Sequence, residues 1–259
     1  MHRFYIAPER WHAEPLTLEG AEARHCCAVL RQREGDTVHL INGRGGEARA
    51  VVASAARSRV VLRTLERAES PPPAARLCLG QALPKARKMD WIVQKATEIG
   101  ATSIAPLLAE RSVVKLAAGE AAAKTGKWRQ SAIEAAKQCG RAWLPEVHEP
   151  RPLAELLAAA EGAGELLLLA TMLPAALPIP ARLDEFRRAR GRPPRRVLVL
   201  VGPEGDFTSG EVELALAAGC RPVSLGPQVL RAETAALYAL SVLAEALLQR
   251  ASAGGERDP

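Results

Sequence analysis

Unbroken apolar runs alternate with helically spaced apolar stripes along the last two-thirds of the chain. Residues 196–201 are Val or Leu after their first position, and they predict a strand buried on both faces. Shorter runs at 77–83, 102–108, 165–170 and 222–225 predict further strands. Between the first two, Met89, Ile92, Val93, Ala96 and Ile99 share one face of a predicted helix over 88–99, and Gly100 is its stop. Helices are also predicted over 127–139, 153–160, 209–218 and 232–250. This alternation predicts an α/β fold: a parallel sheet covered by helices on both faces. Residues 187–196, dense in Arg and Pro, read as a basic surface loop, and 251–259 as a frayed tail.

The first 70 residues carry a different pattern. Strands are predicted at 36–41, 47–52 and 59–63, with Asn42-Gly43-Arg44-Gly45-Gly46 as a turn suited to positive φ, and a short helix at 19–30. Glu69-Ser70-Pro71-Pro72-Pro73-Ala74 reads as a stiff, extended linker. The expected organisation is a small β-rich domain over 1–70 and an α/β domain over 74–250, with 251–259 flexible.

Composition narrows the class. A chain of 259 residues with 48% hydrophobic residues can build a sizeable core, and with 3% aromatics that core must be aliphatic. The net charge of +6 favours a polyanionic partner. Five cysteines, an odd number without a C-x-x-C pair, argue against a disulfide framework or a zinc site and for a reducing compartment. His25 beside Cys26 and Cys27 lacks a second ligand pair, so no metal is expected. The start, Met1-His2-Arg3-Phe4-Tyr5, has no apolar signal-peptide core, and no apolar stretch is long enough to span a bilayer. A cytoplasmic protein without membrane contact is expected. Trp91, Trp128 and Trp143 read as core or interface residues.

The candidate chemistry sits at strand ends. After strand 196–201 comes Gly202-Pro203-Glu204-Gly205-Asp206-Phe207, and Thr208-Ser209-Gly210-Glu211 then reads as a capping box opening a helix. Ligands of open α/β sheets bind in such loops, where glycines allow close backbone approach. Neither the dinucleotide fingerprint nor the phosphate-binding P-loop pattern occurs. A second strand end runs through Gly226-Pro227 into residues 228–235, and a third is Ala170-Thr171-Met172-Leu173. In a parallel sheet all three loops emerge at one edge and form a pocket of backbone groups with apolar walls. Such a pocket suits an adenine ring and an uncharged linker better than a triphosphate, since it offers no Lys and no acidic pair for Mg²⁺.

These segments resemble the RsmE family of 16S ribosomal RNA methyltransferases, SPOUT-class enzymes that modify N3 of a uridine. The resemblance rests on Gly202-Pro203-Glu204-Gly205-Asp206-Phe207, Ser224-Leu225-Gly226 and Leu230-Arg231-Ala232-Glu233-Thr234-Ala235. It extends to Lys95-Ala96-Thr97-Glu98-Ile99-Gly100, Glu110-Arg111-Ser112-Val113-Val114-Lys115, residues 134–141, Pro145-Glu146-Val147, Arg24-His25, Val29-Leu30-Arg31 and Gly35-Asp36. The order is kept over nearly the whole chain. Two positions depart from the family pattern: Asp206 stands where Gly is usual, and Ala232 where Thr is usual.

The resemblance implies a PUA-like β-barrel for RNA, followed by a SPOUT-type parallel sheet with a deep trefoil knot near its carboxyl end. It implies S-adenosylmethionine as methyl donor, 16S rRNA or the small ribosomal subunit as partner, and a homodimer. A 2′-O-ribose methyltransferase of the same class and a non-catalytic RNA-binding assembly factor are the alternatives. Donor contacts are expected from Met172, Gly202, Pro203, Glu204, Gly205, Leu225, Gly226, Val229, Leu230 and Thr234. Arg231 is the leading catalytic candidate, because a guanidinium beside the uracil oxygens would stabilise the charge that develops as N3 loses its proton. Glu204 is the second, with anchoring of its loop as the preferred role. Arg3, Arg24, Arg31, Lys85, Arg87, Lys88 and Lys95 are candidates for phosphate contacts. Lys85, Arg87 and Lys88 lie near a helix start, where the macrodipole does not favour cations.

Overall fold

The computed structural model describes residues 2–85, 88–114, 116–117, 119–160 and 166–248. Contacts divide the chain into two units, one of residues 1–72 with 133–144 and one of residues 73–132 with 145–259.

The first unit is a five-stranded sheet built from β1 (Arg3–Tyr5), β2 (Leu16–Glu19), β3 (Thr37–Ile41), β4 (Gly46–Ala56) and β5 (Arg59–Glu69), in the order β1-β3-β4-β5-β2. The β1–β3 pair is parallel and the others are antiparallel. One apolar cluster takes Phe4, Leu18, Leu40, Ala50 and Leu62 from the five strands, so the sheet curls around its own core. Helix α1 (Gly20–Arg24) follows β2 and runs into a single π-helical turn over His25–Val29, where the sequence predicts one uniform helix. The turn between β3 and β4 holds because Asn42 Oδ1 accepts from the Arg44 and Gly46 amides, both at 2.8 Å. Gly45 has φ +92°, and a Cβ there would stand 2.7 Å from the Trp143 ring and 2.8 Å from the Ser70 carbonyl. Lys137, from the returning segment, is buried and pairs with Glu22 at 2.7 Å and Glu134 at 3.0 Å.

The second unit follows the predicted alternation. In chain order it contains β6 (Arg76–Ala82), α2 (Lys88–Ile99), β7 (Ser103–Leu108), α3 (Glu120–Cys139), β8 (Glu146–Val147), β9 (Arg151–Pro152) and α4 (Leu153–Ala160). There follow β10 (Leu166–Ala170), β11 (Leu177–Pro178), α5 (Ile179–Arg190), β12 (Arg196–Val201), α6 (Ser209–Ala217), β13 (Arg221–Ser224) and α7 (Ala232–Leu247). The last seven residues of α3 lie in the part assigned to the first unit. The strands run in the order β11-β13-β10-β12-β6-β7-β8, with β9 also on β7, and every pairing is parallel.

Strand periodicity sorts the core into two layers. On β12, Val197, Val199 and Val201 face one cluster while Leu198 and Leu200 face the other. The first cluster is covered by α2, α3, α5 and α7 through residues such as Ile92, Trp128, Leu183 and Leu240. The second is covered by α4 and α6 through Leu157 and Ala215.

The predicted basic loop at 187–196 is corrected by α5, which runs to Arg190 and stops at Gly191 with φ +69°. Pro180 sits in the first helical turn, where no intrahelical N–H is lost, and Ile179 and Leu183 bury one face in the core. Helix α3 also begins seven residues before the predicted 127. Glu165 at the predicted strand start, residues 249–250 of the last helix and the 251–259 tail lie outside the described residues. Trp128 is buried and Trp143 half-buried, but Trp91 is 43% exposed and is not part of the core. All five cysteines are free thiols. No described helix is long and apolar enough to cross a membrane.

Because β12 is the central strand and Leu200 is fully buried, Leu200→Ala should destabilise the protein by about 2–5 kcal/mol. The urea unfolding midpoint checks this.

Candidate functional site

Strands β10, β12 and β13 are parallel neighbours ending at Ala170, Val201 and Ser224, so the loops that follow them leave the same edge. They enclose a cavity of about 280 Å³, near the lower end of the range for small-molecule sites. Ala170, Thr171 and Met172 come from the first loop, and Gly202, Pro203, Glu204 and Asp206 from the second. The third supplies Leu225, Gly226 and residues 228–230, and the start of α7 adds Arg231, Ala232 and Ala235. The walls are mostly aliphatic, with no lysine among the lining residues.

The second loop is held in shape by its own backbone. Asp206 has φ +58°, a left-handed conformation that Asp tolerates better than most residues. Its amide donates to the Pro203 carbonyl at 2.9 Å, and its Oδ1 accepts from the Phe207 amide at 2.8 Å. A Cβ at position 202 would stand 2.8 Å from that same Oδ1 and 3.2 Å from the Phe207 nitrogen, so the turn requires glycine. Gly226, with φ +117°, turns the third loop.

Two carboxylates tie this loop to its neighbours. Glu204 Oε1 accepts from the Lys85 amide at 3.1 Å and lies 3.7 Å from Lys88 Nζ. Glu211 is buried in the predicted capping box: its Oε2 accepts from the Thr208 amide at 2.9 Å while Thr208 Oγ1 accepts from the Glu211 amide at 3.3 Å. Its Oε1 accepts from the Glu110 amide beyond β7 at 2.9 Å. Arg111 adds a third tether by donating to the Gly205 carbonyl at 3.0 Å.

Lys88 also lies 3.0 Å from Glu233, joining the first turn of α2 to the first turn of α7. Burial works to raise the Glu233 carboxyl, but a backbone hydrogen bond, the Lys88 ammonium and the Arg231 charge outweigh it and hold the group below its ordinary value. Arg231 is the N-cap residue of α7, makes no side-chain cap and is exposed beside the cavity. Among the described residues its guanidinium forms no ion pair.

Of the residues the sequence singles out for the donor, Met172, Gly202, Pro203, Glu204, Leu225, Gly226, Val229 and Leu230 all line the cavity. Gly205 and Thr234 do not: the Cα of Gly205 faces Arg111, and Thr234 is exposed on α7 without capping it. Asp206 and Gln228 line it although neither is among the expected donor contacts. The strand-end rule pointed to their loops but could not orient single side chains.

Of the cation candidates, Arg3, Arg24 and Arg31 are exposed in the first unit, where Arg24 borders an open depression with His25 and Val29. Lys85 is exposed, while Lys95 pairs with Glu98 at 2.9 Å. Arg87 lies outside the described residues. Lys88 has carboxylate partners in Glu204 and Glu233, the structural explanation that the macrodipole argument lacked. Among the described residues no group of three or more His, Cys, Asp or Glu is placed to hold a metal.

Comparisons with known proteins agree with this arrangement. Residues 70–244 match an RNA methyltransferase domain and residues 18–65 an RNA methyltransferase PUA domain. The chain is 34% identical to the ribosomal RNA small subunit methyltransferase E of Synechocystis, over 96% of this chain and 78% of the relative. Its fold superposes with a TM-score of 0.83 on a putative methyltransferase of Legionella pneumophila in complex with S-adenosylmethionine, at 33% identity over 94% of this chain and 97% of the other. The TM-score is 0.82 against the ribosomal RNA small subunit methyltransferase E of Neisseria gonorrhoeae bound to S-adenosylmethionine, at 28% identity over 95% and 98% of the two chains.

Glu211→Ala would leave the Glu110 and Thr208 amides without their acceptor. It should lower stability by about 1–3 kcal/mol, read from urea unfolding, and weaken S-adenosylmethionine binding in calorimetry.

Proposed function

From the chain's membership of the ribosomal RNA small subunit methyltransferase E family, we propose that this S-adenosylmethionine-dependent rRNA methyltransferase methylates N3 of a uridine in 16S rRNA. The observation that carries the reading is the cavity at the β10, β12 and β13 ends, which combines a glycine-requiring turn, aliphatic walls and the exposed Arg231 guanidinium at its rim. These features fit the donor. Backbone groups of the 202–206 and 225–230 loops suit an adenine edge, and the apolar walls suit its ring. When bound, the donor supplies an electrophilic methyl group on a sulfonium.

The chain's own contribution is positioning and charge. The tethered loops fix where the donor sits, which supports in-line attack by a base held beside them. Arg231 lines the same cavity, which supports a role in which its guanidinium stabilises, at the uracil carbonyl oxygens, the anion formed when N3 loses its proton. Glu204 is spent on the Lys85 amide and Lys88, so it acts as an anchor and not as the proton acceptor. Exposed Arg3, Arg24 and Arg31 in the PUA unit are assigned to RNA phosphates.

On the family resemblance we also propose the deep trefoil knot at the carboxyl end, a homodimer and a cytoplasmic location. The dimer has physical support in two apolar side chains beside the cavity: Met172 is 59% and Val229 84% exposed in the single chain.

Incubation with labelled S-adenosylmethionine and small subunits lacking the modification, followed by nuclease digestion, should yield 3-methyluridine. A 2′-O-methyl nucleoside would overturn the N3 assignment, and no label despite donor binding would overturn the substrate. Arg231→Ala should keep donor affinity within about twofold yet lose about a hundredfold in turnover. Unchanged turnover removes Arg231 from the chemistry.

A further inference from the structure

Lys88 stands against the local preference of its own helix. It is the first residue of α2, at the end whose dipole disfavours a cation. A residue that breaks a local rule needs a compensating contact, and Lys88 has two. Glu233 presents both carboxylate oxygens, at 3.0 and 3.1 Å from Lys88 Nζ. Glu204 lies beyond them at 3.7 Å. The Lys88 and Glu233 side chains are 31% and 15% exposed, so salt screens this pair less than a surface one. One ammonium thus links the start of α2 to two segments that wall the donor cavity, the loop after β12 and the start of α7.

Glu233 follows Arg231 by two residues, and the Arg231 charge acts on its carboxyl together with that of Lys88. Two cations therefore compete for one carboxylate. Lys88 holds both of its oxygens. Arg231 precedes the first turn of α7, caps nothing with its side chain and is exposed at the cavity. Among the described residues it makes no ion pair. Lys88 itself is not among the residues lining the cavity.

We propose that Lys88 is a positioning residue for methyl transfer: by occupying Glu233 it keeps the Arg231 guanidinium available to the uracil. The inference rests on the catalytic reading of Arg231 given above. A carboxylate deprived of Lys88 would draw in the neighbouring guanidinium, whose fork matches its two oxygens with parallel hydrogen bonds. Arg231 would then neutralise its own helix start instead of the charge that develops on the substrate.

Lys88→Met removes the charge and keeps most of the side chain's length. It should lower turnover about tenfold while S-adenosylmethionine affinity, from calorimetry, stays within about threefold of the parent. Arg231 should also react more slowly with phenylglyoxal in the protein alone, followed residue by residue by mass spectrometry. Lys88→Arg, which keeps the charge and can grip both oxygens, should recover most of the turnover lost in Lys88→Met. The decisive protein combines Lys88→Met with Glu233→Gln: with the competing carboxylate gone, turnover and Arg231 reactivity should both return. Lys88→Gln, with the same expectations, takes the place of a Lys88→Met protein that does not fold. A double variant as slow as Lys88→Met overturns the proposal. So does parental Arg231 reactivity in Lys88→Met, or a turnover loss that only tracks lost donor affinity. Arg231→Ala separates the two readings. If it loses turnover while Lys88→Met does not, the proposal alone fails. If it turns over at the parental rate, the catalytic role of Arg231 fails and takes the proposal with it.

Discussion

Carboxylates that accept backbone amides from neighbouring loops, Glu211 buried and Glu204 at the surface, hold the carboxyl edge of this sheet in one arrangement. Glu211 serves its own helix with one oxygen and the Glu110 amide with the other. Glu204 does the same for the Lys85 amide. An amide left unpaired away from water costs about 1–3 kcal/mol, which applies to the part-buried Glu211 contacts and not to the exposed Glu204–Lys85 one. Both carboxylates link two loops. The β12 loop is thereby fixed against the exits of both β6, its neighbour in the sheet, and β7, the strand beyond it. The cavity inherits its shape from these restraints, because its aliphatic walls have no directional contacts of their own.

Much of this architecture was legible because periodic patterns survive folding. The 196–201 run became the central strand, its odd and even residues dividing between the two core layers. The 88–99 stripe became α2, and the Thr208–Glu211 box formed as spaced. Helix α5 was hidden because Pro180 and its arginines imitate a loop, while only Ile179 and Leu183 are fully buried. The π turn after α1 leaves no distinct pattern, since the same residues satisfy either hydrogen-bond ladder.

The site was legible as three loops and much less as side chains. Gly202 and Gly226 announced themselves through residue type, and the structure gives each a backbone reason. The partners of Lys88 did not, because Glu233 lies 145 residues away and no local spacing reports such a pair. The second oxygen of Glu211 is a similar case, reaching 101 residues back to Glu110. Asp206 shows the converse. It looked like a departure from the family's glycine, yet it occupies the left-handed seat that a glycine would take and supplies the turn with an acceptor.

Helix α3 has a consequence for how this protein can be taken apart. Its final turns lie in the unit otherwise made of residues 1–72, where Lys137 neutralises Glu22. The amino-terminal module is therefore completed by chain that is synthesised only after about a third of the other module, residues 73–132. A graft exchanging the RNA-binding module between relatives must carry residues 133–144 with it, or strand a half-buried carboxylate without its counter-charge. Recombination at the triple proline alone would cut the covalent chain at one crossing point and leave the other two untouched.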